Sequence, residues 1–458
     1  MREDVLLATA FVTLQNSEVP VHSFIAGATA GQIAASVEAA VRDGQLLPGA
    51  QLPPIRALAA ELGVSPMTTA AAYRELRRRG LLVASGRRGT RVASRPPLPM
   101  RTTMFVPPGA RNLATGSPDP DLLPPLADAL ARIDTAPRLY LEEGKLPELV
   151  DVAAAELAAD GLPAPALTIV AGALDGIERV LQAHLRPGDR VAVEDPGYVR
   201  VFDLLRALGL HLEPVRVDEY GLRPDELEAA LARGARAVIV TLRAQNPTGA
   251  THDEGRAAEL RTLLDAHEDV LVIEDDHAAS VAGAPAFTVR TAERPNWATV
   301  RSVSKSLGPD LRLAVVGGDP TTIARVEGRM LLGSGWVSGL LQQIVATFWS
   351  DPATRERLAG AEEIYSARRW FLVEALAERG ITAQGRSGLN VWVPVAEEAP
   401  IVATLLQRGW AVMAAERWRL TTPPAVRVTT ATLHPDEGER LADDLAAALT
   451  ARTETYSA

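Results

Sequence analysis

Seven short β-rich runs alternate with helical stretches from residue 112 to the C-terminal part of this 458-residue chain. The runs are 167–170, 190–194, 212–217, 237–241, 270–274, 299–302 and 313–317. This alternation favours a mainly parallel sheet with helices on both faces, because a parallel connection is long enough to hold a helix. Ligands of such sheets bind at the carboxyl ends of the strands. The pattern therefore predicts an α/β domain with a ligand site at one edge of its sheet.

Lysine is almost absent from this chain. Only two of the 47 basic residues, Lys145 and Lys305, are lysines. Lysine can lose its proton and attack a carbonyl, whereas arginine stays protonated. Lys305 lies between Ser304 and Ser306, with Arg312 seven residues further on. The hydroxyls and the guanidinium suit a phosphate, so the pattern indicates a lysine that forms an imine with a phosphorylated aldehyde cofactor. Lys145 has no such neighbours and is expected to be a surface charge.

Composition limits the remaining classes of function. The chain has no cysteine, so it forms neither a disulfide nor a thiolate metal site, and its histidines are scattered without ligand spacing. No apolar run approaches the ~20 residues that a membrane-spanning helix needs. We therefore expect a cytoplasmic protein without a metal centre, and we expect residues 1–27 to form a poorly ordered extension.

Charge is distributed unevenly along the chain. Residues 28–95 contain ten arginines and four acidic residues, a balance of +6, and residues 1–27 carry −2. Since the whole chain carries −10, the remaining residues must carry −14. A basic module that precedes an acidic body predicts a polyanion-binding domain joined to a ligand-binding domain.

The basic module has the pattern of a winged helix-turn-helix. Helices are predicted at 32–43 and 55–62, and Ser65 and Pro66 are typical of the start of a third helix that ends near residue 79. Alternating runs at 81–83 and 90–92 flank the turn Gly86-Arg87-Arg88-Gly89, which predicts a basic hairpin. In such a module the third helix enters the major groove of DNA.

The module resembles the GntR-type DNA-binding domain. The matching run is Gly44-x-Leu46-x-Pro48-Gly49-x-x-Leu52-Pro53-x-x-Arg56-x-Leu58-Ala59, followed by Leu62-Gly63-Val64-Ser65 and Ala72-Tyr73-x-x-Leu76. Pro54 and Pro66 replace the serine and arginine usual in the family, so the operator sequence cannot be transferred. The resemblance implies contacts with double-stranded DNA from five side chains: Arg56, Thr68, Thr69, Arg74 and Arg88. Residues 96–111, rich in proline, are expected to be an extended linker.

Residues 112–458 resemble fold type I pyridoxal-phosphate enzymes of the aspartate aminotransferase group, with a large parallel-sheet subdomain and a small C-terminal α+β subdomain. Four motifs carry the likeness: Ala171-Gly172-Ala173-Leu174, Glu194-Asp195-Pro196-Gly197-Tyr198, Asn246-Pro247-Thr248-Gly249, and Val272-Ile273-Glu274-Asp275-Asp276-His277, which precedes Lys305 by about 30 residues. Each motif alone is compatible with ordinary turns or strand ends. It is the order of the four motifs along the chain that resembles the family.

The resemblance implies a role for each matched residue. Lys305 forms the imine, and the cofactor phosphate is held by Ser302, Ser304, Arg312 and the backbone at Ala173 and Leu174, where the family's usual polar side chains are missing. Tyr198 stacks on the pyridine ring, Asn246 bonds the phenolic oxygen, and Asp275 pairs with the pyridine nitrogen. His277, where a tyrosine is usual nearby, still donates to the phenolic oxygen. Arg427 binds a ligand carboxylate, and Tyr140 reaches the cofactor of the partner subunit.

Together the two parts resemble the MocR family of bacterial regulators. The runs Gly172-Ala173-Leu174-Asp175-Gly176 and Glu274-Asp275-Asp276-His277-Ala278 are most like its PtsJ branch, which is associated with control of vitamin B6 salvage through pyridoxal kinase. The resemblance implies a head-to-tail homodimer that binds pyridoxal 5'-phosphate and changes its DNA affinity with the cofactor or an amino ligand. Two alternatives stay open: a working aminotransferase with an accessory DNA-binding module, and a vitamin B6 storage protein whose first domain does not bind DNA.

Overall fold

A computed structural model describes residues 24–42, 45–47, 49–78, 81–84, 89–93, 106–137, 139–140 and 144–453. The chain divides into two compact units, Met1–Thr102 and Thr103–Ala458. In the part of the chain that is described, no helix is both long and apolar enough to cross a membrane.

The first unit contains three helices and a hairpin. The helices are α1 (Ala30–Arg42), α2 (Ile55–Leu62) and α3 (Pro66–Arg78), and strands β1 (Leu82–Ala84) and β2 (Thr90–Val92) pair antiparallel. The Ser65 hydroxyl accepts a hydrogen bond from the backbone N–H of Thr68 at 3.1 Å, which fixes the start of α3. Leu58 and Leu76 are completely buried, and each such side chain contributes about 1.5–3 kcal/mol to the unit's stability. The predicted winged helix-turn-helix is confirmed.

An eight-stranded sheet forms the centre of the second unit. Its strands lie in the order β4-β11-β10-β9-β8-β5-β6-β7. The pairs β10–β9, β9–β8, β8–β5 and β5–β6 are parallel, and β11 runs antiparallel to both of its neighbours. The bounds are β4 (Ala166–Val170), β5 (Arg190–Asp195), β6 (His211–Asp218), β7 (Gly221–Leu222), β8 (Ala235–Thr241), β9 (Leu271–Asp276), β10 (Trp297–Ser302) and β11 (Ala314–Gly318). The mainly parallel sheet expected from the alternating runs is confirmed.

Helices cover this sheet, and four of its eight strands, β7, β9, β10 and β11, are buried along their whole length. Val191, Ala237, Val272 and Val300 are all fully buried. The helices around the sheet are α4 (Leu126–Leu130), α5 (Pro147–Ala159), α6 (Ala173–His184), α7 (Val199–Ala207), α8 (Pro224–Ala232), α9 (Glu254–Asp265), α10 (Pro320–Met330) and α11 (Gly339–Ser350).

A smaller subdomain follows the long helix α12 (Pro352–Glu378). Its antiparallel sheet has the order β12-β15-β14, and a separate parallel pair joins β13 to β3, which is the first strand of the unit. The remaining bounds are β3 (Arg111–Asn112), β12 (Asn390–Pro394), α13 (Glu398–Gln407), β13 (Trp410–Ala411), β14 (Met413–Ala414), β15 (Ala425–Thr429) and α14 (Pro435–Thr453). The chain segment that enters the unit is thus built into the small subdomain.

Candidate functional site

A cavity of about 120 Å³ lies at the carboxyl ends of five mutually parallel strands: β4, β5, β8, β9 and β10. Ten of the residues singled out in the sequence line it, although they come from five separate segments. The lining residues are Ala173, Leu174, Ile177, Tyr198, Thr241, Asn246, Asp275, His277, Ser302, Ser304, Lys305 and Arg312.

Strand alternation selects which of three consecutive acids faces this cavity. Glu274 and Asp276 point to the other face of β9, where Glu274 accepts a hydrogen bond from Thr299 and Asp276 pairs with Arg243 and Arg301. These two arginines hold the pKa of Asp276 well below its usual range, although burial alone would raise it. Asp275 faces the cavity, and its buried Oδ1 has no hydrogen-bond partner among the described residues. An unpartnered buried carboxylate oxygen is costly unless a ligand supplies the donor.

Lys305 is half-buried near a second cation, Arg427. Its Nζ donates to the carbonyl of Gly116 at 2.6 Å. Burial, reinforced by the charge of Arg427, lowers the pKa of Lys305 to about 8. An amine of this kind is partly unprotonated near neutral pH and can act as a nucleophile. The position suits a lysine that attacks an aldehyde.

The end of the cavity around Arg312 has the donors that a phosphate needs. Helix α6 begins there at Ala173, so its free N–H groups and dipole face this end. Ser302 and Ser304 are hydrogen-bonded to each other through their hydroxyls at 2.9 Å. Gly172 has φ +97°, and a Cβ on it would lie 2.8 Å from the Arg312 guanidinium. This glycine is therefore required for the close approach of Arg312 to the helix start.

Asn246 and Arg427 are directly joined. Arg427 Nη1 donates to Asn246 Oδ1 at 2.9 Å, which leaves the amide nitrogen of Asn246 as the end that can donate into the cavity. Arg427 is only 3% exposed, and its guanidinium lies 4.6 Å from the ring centre of Trp418. Burial lowers the pKa of Arg427 to about 10. The side chain does not line the cavity itself.

Glu194 is a buried carboxylate for which the motifs predicted no role. It connects two walls of the cavity. It accepts hydrogen bonds from the backbone and hydroxyl of Thr241 at 2.7 and 2.8 Å and from Gln245 Nε2 at 3.0 Å. Gln245 also donates to the carbonyl of Pro196 at 2.9 Å, next to the turn that carries Tyr198. Burial raises the pKa of Glu194 to about 7, against the lowering effect of these hydrogen bonds. The signal available in the sequence was an acid directly after the apolar run 191–193.

Ile177 and Thr241 also line the cavity without having been expected there. Ile177 lies one helical turn after Ala173, and Thr241 is the last residue of β8. Their place in the cavity wall follows from the positions of α6 and β8, and neither residue belongs to one of the motifs.

Neither Tyr140 nor Lys145 lines the cavity. Tyr140 is 85% exposed and packs edge-on against Trp336, with 5.9 Å between ring centres. Lys145, expected to be a surface charge, is partly exposed and ion-paired. Its side chain is 41% exposed, and its Nζ binds Glu327 at 2.6 Å and the carbonyl of Leu167 at 3.2 Å, so it fixes the start of α5 to α10.

The DNA-contact residues proposed from the sequence fall into different environments. Arg56 and Arg74 are exposed on α2 and α3, and Thr68 is half-buried with its hydroxyl 2.8 Å from that of Ser65. The expected DNA contact of Thr69 is wrong, because its side chain is completely buried on the inner face of α3. Arg88 lies outside the described residues.

Comparison with known proteins agrees with this architecture. Residues 29–92 match the model of the bacterial regulatory proteins of the gntR family, and residues 112–445 match aminotransferase class I and II. Among solved structures, LysN, an alpha-aminoadipate aminotransferase from Thermus thermophilus, is similar with a TM-score of 0.67 and 22% identity, covering 76% of this chain and 94% of that one. A multiple substrate aminotransferase from Thermococcus profundus gives a TM-score of 0.69 at 20% identity, covering 76% and 93%. These likenesses show the fold.

The chain belongs to the MocR family of transcriptional regulators, in which a GntR-type DNA-binding domain precedes an aminotransferase-like domain. It is 41% identical, over 93% of its length and 99% of the relative's, to the vitamin B6 salvage pathway transcriptional repressor PtsJ of Salmonella typhimurium. It is 28% identical to the pyridoxine biosynthesis transcriptional regulator PdxR of Corynebacterium glutamicum, covering 76% and 78% of the two chains. The predicted PtsJ-like regulator is confirmed at this level.

Proposed function

We propose that this regulator binds pyridoxal 5'-phosphate covalently through Lys305 and changes its affinity for DNA with the occupancy of that site. In this proposal it controls genes of vitamin B6 salvage, as the name of its PtsJ relative indicates for that protein. The observation that carries the proposal is the cavity that collects Lys305, Asp275, Asn246 and Arg312 from three separate segments.

The donors and acceptors of the cavity fit this cofactor. Asp275 Oδ1 is a buried acceptor in need of a donor, which a protonated pyridine nitrogen would supply. Asn246, His277 and Tyr198 line the cavity. In this proposal Asn246 Nδ2 and His277 donate to the phenolic oxygen, and Tyr198 stacks on the ring. Arg312, Ser302, Ser304 and the N-terminus of α6 would bind the phosphate. When bound, the cofactor supplies an electrophilic carbon that accepts amines.

The site is completed, in this proposal, by a second copy of the chain in a head-to-tail dimer. Tyr140 and its contact Trp336 are exposed, as are Leu139 beside Tyr140 and Leu331 and Leu332 a few residues before Trp336. We call these five the apolar patch. Monomeric proteins rarely leave such groups in water, and burial against a partner would place Tyr140 at the partner's phosphate site.

Pyridoxal phosphate also allows a rival function, a working aminotransferase. The chain retains Lys305, Asp275, Asn246 and Arg427, which such an enzyme needs. Incubation of the loaded protein with amino acids and 2-oxoglutarate distinguishes the two. We expect no multiple-turnover formation of keto acid, and sustained turnover would favour the enzyme.

The test of the proposed function is a DNA-binding titration with the full chain and the DNA upstream of its own gene. We expect pyridoxal phosphate to change the affinity of the wild type and to leave that of Lys305→Ala unchanged. Lys145→Arg is the matched control and should respond as the wild type does. Specific binding that is indifferent to the cofactor would contradict the proposal, and absence of specific, salt-sensitive binding would favour the storage protein.

A further inference from the structure

Three neighbouring strands place two buried carboxylates on either side of a threonine at the carboxyl edge of the sheet. Strand β8 lies between β5 and β9, and its last residue, Thr241, pairs in register with Asp275 of β9. Toward β5, Thr241 donates to Glu194 twice, from its backbone N–H at 2.7 Å and from its hydroxyl at 2.8 Å. Thr241 and Asp275 line the cavity and Glu194 does not, so Glu194 acts on the site from behind its wall.

Glu194 and Asp275 also share a second, smaller pocket of about 20 Å³. This volume is enough for about one water molecule, so the pocket takes no organic ligand. Tyr198 and Thr241 complete its polar wall, and the rest of the lining is the Gly197 backbone and apolar side chains of β5, α7 and β8. No cation lines this pocket among the described residues, so the negative charge of Asp275 acts on Glu194 without a compensating partner there.

Glu194 also fixes two segments that carry cavity-lining side chains. Gln245 Nε2 donates to Glu194 at 3.0 Å and to the Pro196 carbonyl at 2.9 Å. Gln245 directly precedes Asn246, and Pro196 precedes Tyr198 by two residues. A continuous chain of hydrogen bonds therefore runs from Glu194 to the supports of both Asn246 and Tyr198.

The hydrogen bonds of Glu194 and its charged surroundings favour opposite protonation states. Three N–H or O–H donors reach its oxygens, an arrangement that stabilises an ionised carboxylate. Burial and the charge of Asp275 favour the protonated form and raise the pKa of Glu194 to about 7. Lys305, Arg312 and His277 line the larger cavity and not the small pocket. A positive charge placed at Asp275 therefore removes one of the two causes that keep Glu194 protonated.

Resting on the proposed function, we propose that Glu194 is a positioning residue that gives up its proton when the protonated pyridine nitrogen of the cofactor pairs with Asp275. The O–H bond of Glu194 breaks, its proton passes to the solvent, and the pyridine nitrogen keeps its own proton. The carboxylate that remains then accepts charge-assisted hydrogen bonds from Thr241 and Gln245, which are stronger than those to a neutral carboxyl group. The segments that carry Asn246 and Tyr198 are thus held most firmly when the site is occupied.

Isothermal titration calorimetry of the full chain with pyridoxal phosphate tests this inference. Titrations in two buffers of different ionisation enthalpy, neither of them a primary amine or phosphate, count the protons released on binding. At pH 6 the wild type should release about one proton more than Glu194→Gln, which has no proton to lose at this position. At pH 8.5 Glu194 is already ionised, and the difference should disappear. Glu148→Gln, which changes an exposed carboxylate, should release as many protons as the wild type.

Infrared difference spectroscopy gives a second readout that needs no substitution at Glu194. Addition of pyridoxal phosphate to the wild type at pH 6 should remove the carbonyl stretch of one protonated carboxyl group. If Glu194→Gln fails to fold or to bind the cofactor, this band decides, and an unchanged band contradicts the inference. Absorbance of the cofactor reports separately whether pyridoxal phosphate binds, so a failure of the proposed function is recognised before protons are counted.

Two calorimetric results would overturn the inference. The wild type and Glu194→Gln could release equal numbers of protons at pH 6 while absorbance shows that both are loaded. The difference between them could also persist unchanged at pH 8.5, which would assign it to altered packing in the variant and not to the titration of Glu194. A wild type that never takes up pyridoxal phosphate refutes the proposed function, and this inference with it.

Discussion

The chemistry proposed for Lys305 depends on its burial. With a pKa of about 8, about a tenth of the amine is unprotonated at pH 7 and about half at pH 8, whereas an exposed lysine would be almost fully charged at both. We expect the rate of pyridoxal phosphate attachment to rise about fivefold from pH 7 to pH 8 and to level off at higher pH. Stopped-flow absorbance measures this rate. A profile that is flat between pH 7 and pH 9 would contradict the assigned amine.

Glu194 gives a second pH-dependent prediction, this time for stability. The pKa of Glu194 is raised from 4.5 to about 7. The stability that the protonated side chain gives the folded protein is therefore fully present below pH 4.5 and is lost as the pH rises through 7. The loss amounts to about 3 kcal/mol. Glu194→Gln cannot titrate at this position. The thermal midpoint of this variant should therefore increase relative to that of the wild type as the pH rises from 5 to 8.

A control variant isolates this effect from other acids. Glu148→Gln changes an exposed carboxylate at the start of α5 and should follow the wild type at every pH. A difference between Glu194→Gln and wild type that stays constant from pH 5 to pH 8 would show that Glu194 is ionised throughout.

Most residues of the candidate site, though not all, could be predicted from the sequence. The order of motifs led to ten of the twelve residues that line the cavity, because most motif residues lie at or just after the carboxyl end of a strand. The other two, Ile177 and Thr241, and the buried Glu194 were not predicted, since an aliphatic residue in a helix, a threonine at a strand end and an acid after an apolar run have many ordinary explanations. Thr69 was misassigned because the family motif does not tell which face of a helix a side chain lies on.

At the scale of elements, the two faces of α3 give opposite predictions. Arg74 is exposed, and Arg74→Ala should weaken DNA binding about tenfold by removing a contact with DNA. Thr69 is buried with an unpartnered hydroxyl, so Thr69→Val should leave DNA affinity within about twofold and raise the stability of the domain by up to about 1 kcal/mol. Fluorescence anisotropy and thermal unfolding of the full chain measure the two effects. Weaker DNA binding by Thr69→Val would restore Thr69 as a contact residue.

Long elements were predictable and short ones were not. The seven β-rich runs are strands in the structure because each contains at least two β-branched residues within four to six positions. Strands β3, β7, β13 and β14 have two residues each, too few for any periodicity, and only tertiary contacts create them. The pairing of β3 with β13, which ties Arg111 and Asn112 to the small subdomain, could therefore not be derived from the sequence pattern.

At the scale of the whole molecule, the apolar patch predicts self-association. Leu332 is 88% exposed and lies beside Leu331 just after α10. Leu332→Glu should shift the protein toward the monomer and lower its affinity for pyridoxal phosphate, because the partner's Tyr140 would be lost from the site. Sedimentation velocity gives the oligomeric state. Ile364→Glu, at an exposed apolar position on α12, is the matched control and should remain dimeric. A wild type that is monomeric at micromolar concentration would refute this part of the proposal.

The most direct test of the central claim uses the scarcity of lysine in the chain. The full protein is incubated with pyridoxal phosphate, reduced with borohydride, digested, and mapped by mass spectrometry. With only two lysines present, the account predicts that the label lies on Lys305 and is absent from Lys145. No stable label on Lys305, or equal labelling of both lysines, would contradict a dedicated cofactor site and with it the proposed vitamin B6 response.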